Sequence, residues 1–495
     1  MADKLKMSQK KFMLILIPIL AILLGTVIAV TAVMNWAKVT MDSFFGKGQQ
    51  HIIDLEGTED WDADYYGAAD YDSTTETKAA AAEAALKIGN EGIILMKNNG
   101  VLPLSSNDKV TALGRNVIDP VYGGSGSGNV DTSQDYIVTP MEALTSAFGN
   151  NLNTTVTDRI AEVFNANNNT GGGWAPVVRG KYGRGVIVMD DPANSFYSIG
   201  EIPWSEYAPV ESTIDPDSTA LVFISRPGGE GGDLTRDMSV NDSGGSADEH
   251  QLQLNSVEKE LIEKAKEKCK NVVIILNMST TMEVGALAED EGIDAILWVG
   301  SPGAVGFSAM GNVLTGKVVP SGRTVDTWAA DFTKDPTYGN FGDATYTNVD
   351  AYEPTVQYNN RIMNKFVEYE EGIYVGYRYY ETAAHINGEE WYDAWKDSSD
   401  KAGDTGVVYP FGYGLSYTTF DQKITGHRVN DGRIEVDVTV TNTGDTYTGK
   451  DVVQLYYTPP YSASDNIEKA YVNLVAFAKT EPCLLYTSDA ADDLI

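Results

Sequence analysis

Four short apolar runs limit what this chain can fold into more than any other feature: VTALG at 110–114, ALVFI at 220–224, VVIIL at 272–276 and AILWV at 295–299. A strand with one wet face alternates apolar and polar side chains. Runs without alternation fit strands covered on both faces, as in a parallel sheet. Helical patterns lie between them. TPMEALTSAFG opens with Thr139 as N-cap, Pro140 at the first helical position and Glu142 completing a capping box. DEHQLQLNSVEKELIEKAKEKC, residues 248–269, spaces Leu252, Leu254, Val257, Leu261 and Ile262 along one predicted helix face; TMEVGALAEDEG and SAMGNVLTGK follow. Strand alternating with helix predicts an open α/β domain over 76–330, entered through the helix former KAAAAEAALKI and a short buried strand in EGIILMKN.

Residues 331–405 lose this periodicity and read as an irregular connection. From 406 to 482 the period changes to two: IEVDVTVTNTG, DVVQLYYT and YVNLVAFAKT describe part of a β-sandwich. At the other end, Lys4, Lys6, Lys10 and Lys11 form a basic tail (1–11) ahead of an apolar run at 12–34, and an acidic linker follows at 35–75. A bilayer core of about 30 Å needs about 20 helical residues, so 12–34 is expected to be a transmembrane anchor, with a cleaved signal as the alternative. The lysines place the N-terminus inside and the main domains outside the cytoplasm. CLLYTSDAADDLI, 483–495, breaks the sandwich pattern; back-translated as TGT CTC TTA TAC ACA TCT GAC GCT GCC GAC, it looks like a transposon-end sequencing adapter. On that reading the chain is a fragment cut within the sandwich.

A net charge of −34 gives no basic field for phosphates, so nucleic acid is excluded as a partner. Histidines at 51, 250, 385 and 427 and cysteines at 269 and 483 form no metal or disulfide pattern, and no cofactor or metal is expected. GGSGSGNV, 123–130, lacks G-x-G-x-x-G spacing and a following Walker lysine, which argues against a nucleotide site. Cys269 ends a helix and reads as inert. Tyr374, Tyr377, Tyr379 and Tyr380 read as packing, and Arg323 as structural.

ISRPGGEGGDLTRD, 224–237, places a lone carboxylate, Glu230, between glycine pairs just after an apolar run. Loops beyond the carboxyl ends of strands are where open α/β sheets bind ligands, and glycines permit close backbone approach. A solvated surface loop is the bland alternative.

Several motifs, in order, resemble glycoside hydrolase family 3, the β-glucosidase-like enzymes: EGIILMKNNGVLPL (91–104), VTALGRN (110–116), GGSGSGNV, GKVVPSGRTVDTW (316–328), EEGIYVGYRYYE (370–381) and YPFGYGLSYTTF (409–420). The resemblance implies an α/β sandwich domain followed by a partial fibronectin type III-like domain. It also implies a (β/α)₈ barrel bearing the nucleophile. A barrel needs about 250 residues, and only about 75 precede the sheet domain. The swapped order, with the barrel last and missing here, is therefore expected. In that family an acid/base glutamate sits in a setting similar to Ser-Gly-Glu-Gly-x-Asp-Arg. The match assigns Glu230 as acid/base, with Asp233 and Arg236 as substrate-binding residues. Leu234 and Thr235 separate Asp233 from Arg236, which departs from the pattern, and Asp237 and Asp242 are fallback acids. The implied function is an exo-acting, retaining β-glycosidase, expected to be a β-glucosidase, acting on oligosaccharides or β-glycosides; the chain alone is expected to be inactive. The other reading is a non-catalytic extracellular module that binds glycans or a protein.

Overall fold

The computed structural model describes residues 9–36 and 70–483, the latter with breaks at 125–127, 133–135, 168–181, 183–184, 188–195, 229–233, 241–243, 341–356, 359–360, 363–365, 389, 397–405 and 463. The chain divides into two units, 1–72 and 73–495. In the first, Gln9–Trp36 is a helix with Pro18 inside it. Among the described residues no helix is long and apolar enough to cross a membrane. The transmembrane anchor expected over 12–34 is therefore not supported.

In the second unit five strands form one sheet: β1 (Ile94–Asn98), β2 (Val110–Leu113), β3 (Thr219–Arg226), β4 (Asn271–Met278) and β5 (Ala295–Trp298). Their order is β1-β5-β4-β3-β2. The four apolar runs become the parallel strands β2 to β5, as their lack of alternation predicts. β1 joins the edge antiparallel to β5. All eight residues of β3 are buried. Ala220, Val222 and Ile224 face one apolar layer, shared with the helices Thr154–Asn167 and Ser256–Lys268. Leu221 and Phe223 face the other, shared with Pro140–Phe148 and Gly306–Leu314.

The helix at Pro140 starts as its sequence predicts. The Thr139 hydroxyl accepts the Glu142 N–H at 3.1 Å and the Glu142 carboxylate accepts the Thr139 N–H at 2.8 Å. That capping box occupies the helix N-terminus, consistent with the absence of a phosphate motif before it. The helix expected over 248–269 begins only at Ser256. Asn255 caps it through a second capping box with Glu258. Leu252 and Leu254 lie before the helix, where the chain makes a turn closed by the Gln253 N–H on the His250 carbonyl at 3.0 Å. Cys269 closes this helix, buried, and burial pushes its thiol up.

The described residues after β5 include short regular elements. Trp328–Ala329 pairs with Val407–Tyr409, and Tyr377–Asn387 is a helix. Tyr380 is buried and its hydroxyl donates to Asp335 at 2.8 Å; Tyr377 packs on Phe411 with ring centroids 4.6 Å apart. The expected packing role holds for Tyr377 and Tyr380. Two hairpins follow, each a separate two-stranded sheet: Phe420–Asn430 with Arg433–Asn442, and Val452–Tyr457 with Asn473–Lys479. The first turns at Asp431 and Gly432, both at positive φ (47° and 77°), the twist a tight hairpin needs. Cys483 is seated against this region. Its N–H donates to the Gly449 carbonyl at 2.7 Å, and residues 484–495 lie outside the described residues.

Charged side chains join the hairpins to the sheet domain. Lys450 and Lys479 reach Glu91 at 2.7 and 3.0 Å, and Arg323 pairs with Asp451, the structural role read from its motif. Burial pushes the Glu91 carboxyl up, but the two lysines outweigh it and hold the group below its ordinary value.

Candidate active site

The carboxyl edge of β3 carries the loop that the sequence singles out. Arg226, the last residue of the strand, is fully buried and sets the geometry of the loop's base. Its guanidinium donates in a fork to Glu258, at 2.6 and 2.8 Å, on the neighbouring helix. It also donates to the carbonyls of Gln251 and Gln253. Two buried charges meet here with their remaining bonds filled, the arrangement that makes a buried pair tolerable. The chain then leaves through Pro227 and Gly228.

Glu230, Asp233 and Asp242 lie outside the described residues. The loop is described again from Leu234, so its two limbs can be placed. Arg236, expected to touch substrate, lies on the returning limb. It stacks over the Tyr338 ring at 4.8 Å and donates to the carbonyls of Tyr338 and Gly339 at 2.8 and 3.0 Å. Asp237 folds back on its own turn, accepting from the backbone and hydroxyl of Ser239. Met238 is buried, its N–H donating to Ser246 and Glu249 carbonyls at 3.0 and 2.9 Å. Gly245 makes that fold possible: a Cβ there would lie 2.1 Å from the Met238 carbonyl oxygen.

Several residues of this neighbourhood are not evident from sequence. His250 Nδ1 accepts the Leu252 N–H at 3.2 Å, so the ring proton sits on Nε2 and points at Glu283, 2.9 Å away. Glu283 also accepts from Gln253 at 2.7 Å and from the Phe332 N–H at 2.7 Å. Phe332, Tyr338 and His250 then meet ring to ring within 5.8–6.1 Å. A second buried group lies at the end of β2. Glu201 accepts the N–H groups of Arg115 and Ile202, both at 2.8 Å. Burial drives its carboxyl up to about 7 despite the nearby Arg115 charge. Gly114 (φ 97°) allows the close approach here, since a Cβ would sit 2.6 Å from the Phe223 carbonyl oxygen. The Arg115 guanidinium reaches Asn116, which in turn accepts from Ser225 at 2.6 Å, one residue before Arg226. None of these pairings could be found from spacing along the chain.

A cavity of about 340 Å³ lies at the other end of the sheet, beside Lys97, Asn99, Trp395 and Tyr413, and takes no part in this edge. Among the described residues no cluster of His, Cys, Asp and Glu is arranged to hold a metal ion.

Comparison with known proteins bears on what such an edge does. Residues 93–377 match the model of the glycosyl hydrolase family 3 C-terminal domain. Beta-glucosidase A of Butyrivibrio fibrisolvens is 30% identical over 407 residues, 76% of this chain and 41% of that protein. A beta-glucosidase of Ruminococcus albus is 29% identical over 406 residues, 81% of this chain and 34% of that protein. Among solved structures, a beta-glucosidase from Paenibacillus barengoltzii aligns with a TM-score of 0.60 at 28% identity, covering 83% of this chain and 37% of that one. Beta-glucosidase 3B from Thermotoga neapolitana, in complex with glycerol, aligns at 0.58 and 26%, covering 86% and 49%. The chain thus spans less than half the length of these relatives. With a parallel sheet, its antiparallel edge strand and the matched span in agreement, the chain belongs to glycosyl hydrolase family 3.

Proposed function

We propose that this chain supplies the acid/base side of the active site of a retaining, exo-acting β-glycosidase, a β-glucosidase by its relatives. The observation that carries the reading is the position of the Glu230 loop, at the carboxyl end of β3 in a family 3 sheet domain. The nucleophile is assigned to a barrel domain outside residues 1–495. Its carboxylate attacks the anomeric carbon as the glycosidic C–O bond breaks and Glu230 protonates the leaving oxygen. Glu230, now ionised, takes a proton from water as that water's oxygen bonds the anomeric carbon and the ester to the nucleophile breaks. A separation of about 5–5.5 Å between the two carboxyl groups is required. Asp233 is proposed to hold a sugar hydroxyl. Arg236 is proposed to contact substrate through guanidinium N–H groups other than those on the 338 and 339 carbonyls. Export rests on the N-terminal lysines and the apolar run behind them, whether that segment is retained or cleaved.

The test is Glu230→Ala in the full-length gene product. Hydrolysis of a phenyl β-glucoside, whose leaving group needs a proton, should fall by about 100-fold or more. A dinitrophenyl β-glucoside should still react, and azide should restore turnover and yield the β-glycosyl azide. Equal loss on both substrates without azide rescue would remove Glu230 from the reaction. Residues 1–495 alone should release no aryl alcohol from millimolar aryl β-glucoside; turnover there would overturn the assignment of the nucleophile to another domain.

A further inference from the structure

Gln251 is fully buried, and each of its polar groups is spent on the two limbs of the loop after β3. Its side-chain amide donates to the Pro227 carbonyl, on the outgoing limb, at 3.3 Å. Its side-chain oxygen accepts the Thr235 N–H, on the returning limb, at 3.2 Å. Its own N–H donates to the Thr235 carbonyl at 2.9 Å, and its carbonyl accepts from Arg226, the residue at the loop's root. A two-pronged amide between two backbones fixes their separation. An apolar side chain of the same size would fill the space and fix nothing.

The rest of the neighbourhood holds Gln251 still. Arg226 grips the carbonyls on either side of Leu252 and is itself held by Glu258. His250, one residue before, is tied to Glu283, and Gln253, two residues after, to the other oxygen of the same carboxylate. The segment 250–253 is thus anchored to the end of β3 and to Glu283 before it meets the loop. This explains why these residues leave the helical pattern: their side chains and backbones are committed to these partners within a turn closed by the Gln253 N–H on the His250 carbonyl at 3.0 Å.

We infer that Gln251 is a positioning residue for glycoside cleavage, a clip that sets the span between Pro227 and Thr235 and through it the placement of the carboxylate carried between them. The inference rests on the acid/base reading of Glu230. It assigns Gln251 no contact with substrate. Proton donation requires hydrogen-bond reach, so a limb that drifts by about 1 Å costs most where the leaving group depends on the proton.

The experiment measures amide hydrogen exchange at single-residue resolution in residues 1–495. In Gln251→Met, the Thr235 amide should exchange about tenfold faster or more, the loss of one buried bond, while the amides of β3 and β4 keep their wild-type rates. Gln251→Glu retains the oxygen that accepts the Thr235 N–H and should keep that amide protected. Thr235 exchanging at the wild-type rate in Gln251→Met would overturn the clip; so would parallel loosening of β3, which would make Gln251 a general support of the sheet. In the full-length gene product, Gln251→Met should slow phenyl β-glucoside hydrolysis by about tenfold or more and leave the dinitrophenyl substrate near wild type. A residue that only supports folding would slow both equally. Glu230→Gln separates the two assignments: it should leave Thr235 exchange unchanged. If Glu230→Ala shows the leaving-group split and Gln251→Met does not, the clip fails and the acid/base reading stands. If neither shows it while Thr235 still loosens, the clip joins the limbs but the carboxylate reading fails.

Discussion

β3 and the first hairpin both carry β-branched side chains, Val222 and Ile224 in one and Val429 and Ile434 in the other, and these end in opposite environments. Every side chain of β3 is covered, whereas Val429 and Ile434, paired across the first hairpin, are 75% and 67% exposed. Phe477 of the second hairpin is 69% exposed. The sheet domain closes its apolar faces with its own helices. Each hairpin is a two-stranded sheet, an arrangement that is marginal by itself. Charged contacts at Glu91 and Asp451 tie the second hairpin and the residues just before it to the sheet domain, and Tyr456 of that hairpin meets Tyr377 with ring centroids 6.1 Å apart. Apolar patterning alone therefore does not tell which region is stable; what covers each face decides it.

Three substitutions can break or sharpen that contrast. Phe223→Ala should be the most damaging, at about 3–5 kcal/mol for a fully buried aromatic in a packed layer, read as a fall in the urea midpoint. Glu201→Gln comes next and depends on pH. The unfolded chain releases this proton near its ordinary value of 4.5 and the folded chain near about 7. Folding thus takes up a proton between those values. The group's contribution is complete below the lower value and declines as pH rises through the upper one, by up to about 3 kcal/mol. Glu201→Gln should flatten this part of the stability profile, and a wild-type slope in the variant would mean another group titrates there. Phe477→Ser should cost least, within about 0.5 kcal/mol. A loss of about 2 kcal/mol or more in solution would show that the hairpin face is covered and that the contrast with β3 is false.

Much of the sheet domain was legible because its signals are local. Thr139, Pro140 and Glu142 mark a helix start within four residues, and an apolar run of five marks a buried strand without reference to its partner. The fold was less legible where a partner decides. Nothing near Leu252 and Leu254 announces that residues 250–253 serve a loop, since their partners at 227, 235 and 283 lie far along the chain. The antiparallel direction of β1 depends on its pairing with β5, about 200 residues on. The glycine-flanked carboxylate proposed as acid/base rests on composition and chain position, and its residue lies outside the described residues. The commitment of Arg236 to Tyr338 could not be read from the sequence, because stacking on a ring 102 residues away leaves no mark in spacing.

The edge strand β1 has a consequence in time. Its outer edge is met by Leu415, whose N–H donates to the Leu95 carbonyl at 2.8 Å, and by Tyr413, whose hydroxyl reaches the Met96 carbonyl across 317 residues of sequence. A ribosome adding about 5–20 residues per second takes on the order of 15–60 s to cover that distance. Through that interval β1 has left the ribosome without the segment that will seal it, and its bare edge is a template for pairing with other nascent chains. In the cell, the hazard for this protein lies in the wait between its first strand and its four-hundredth residue.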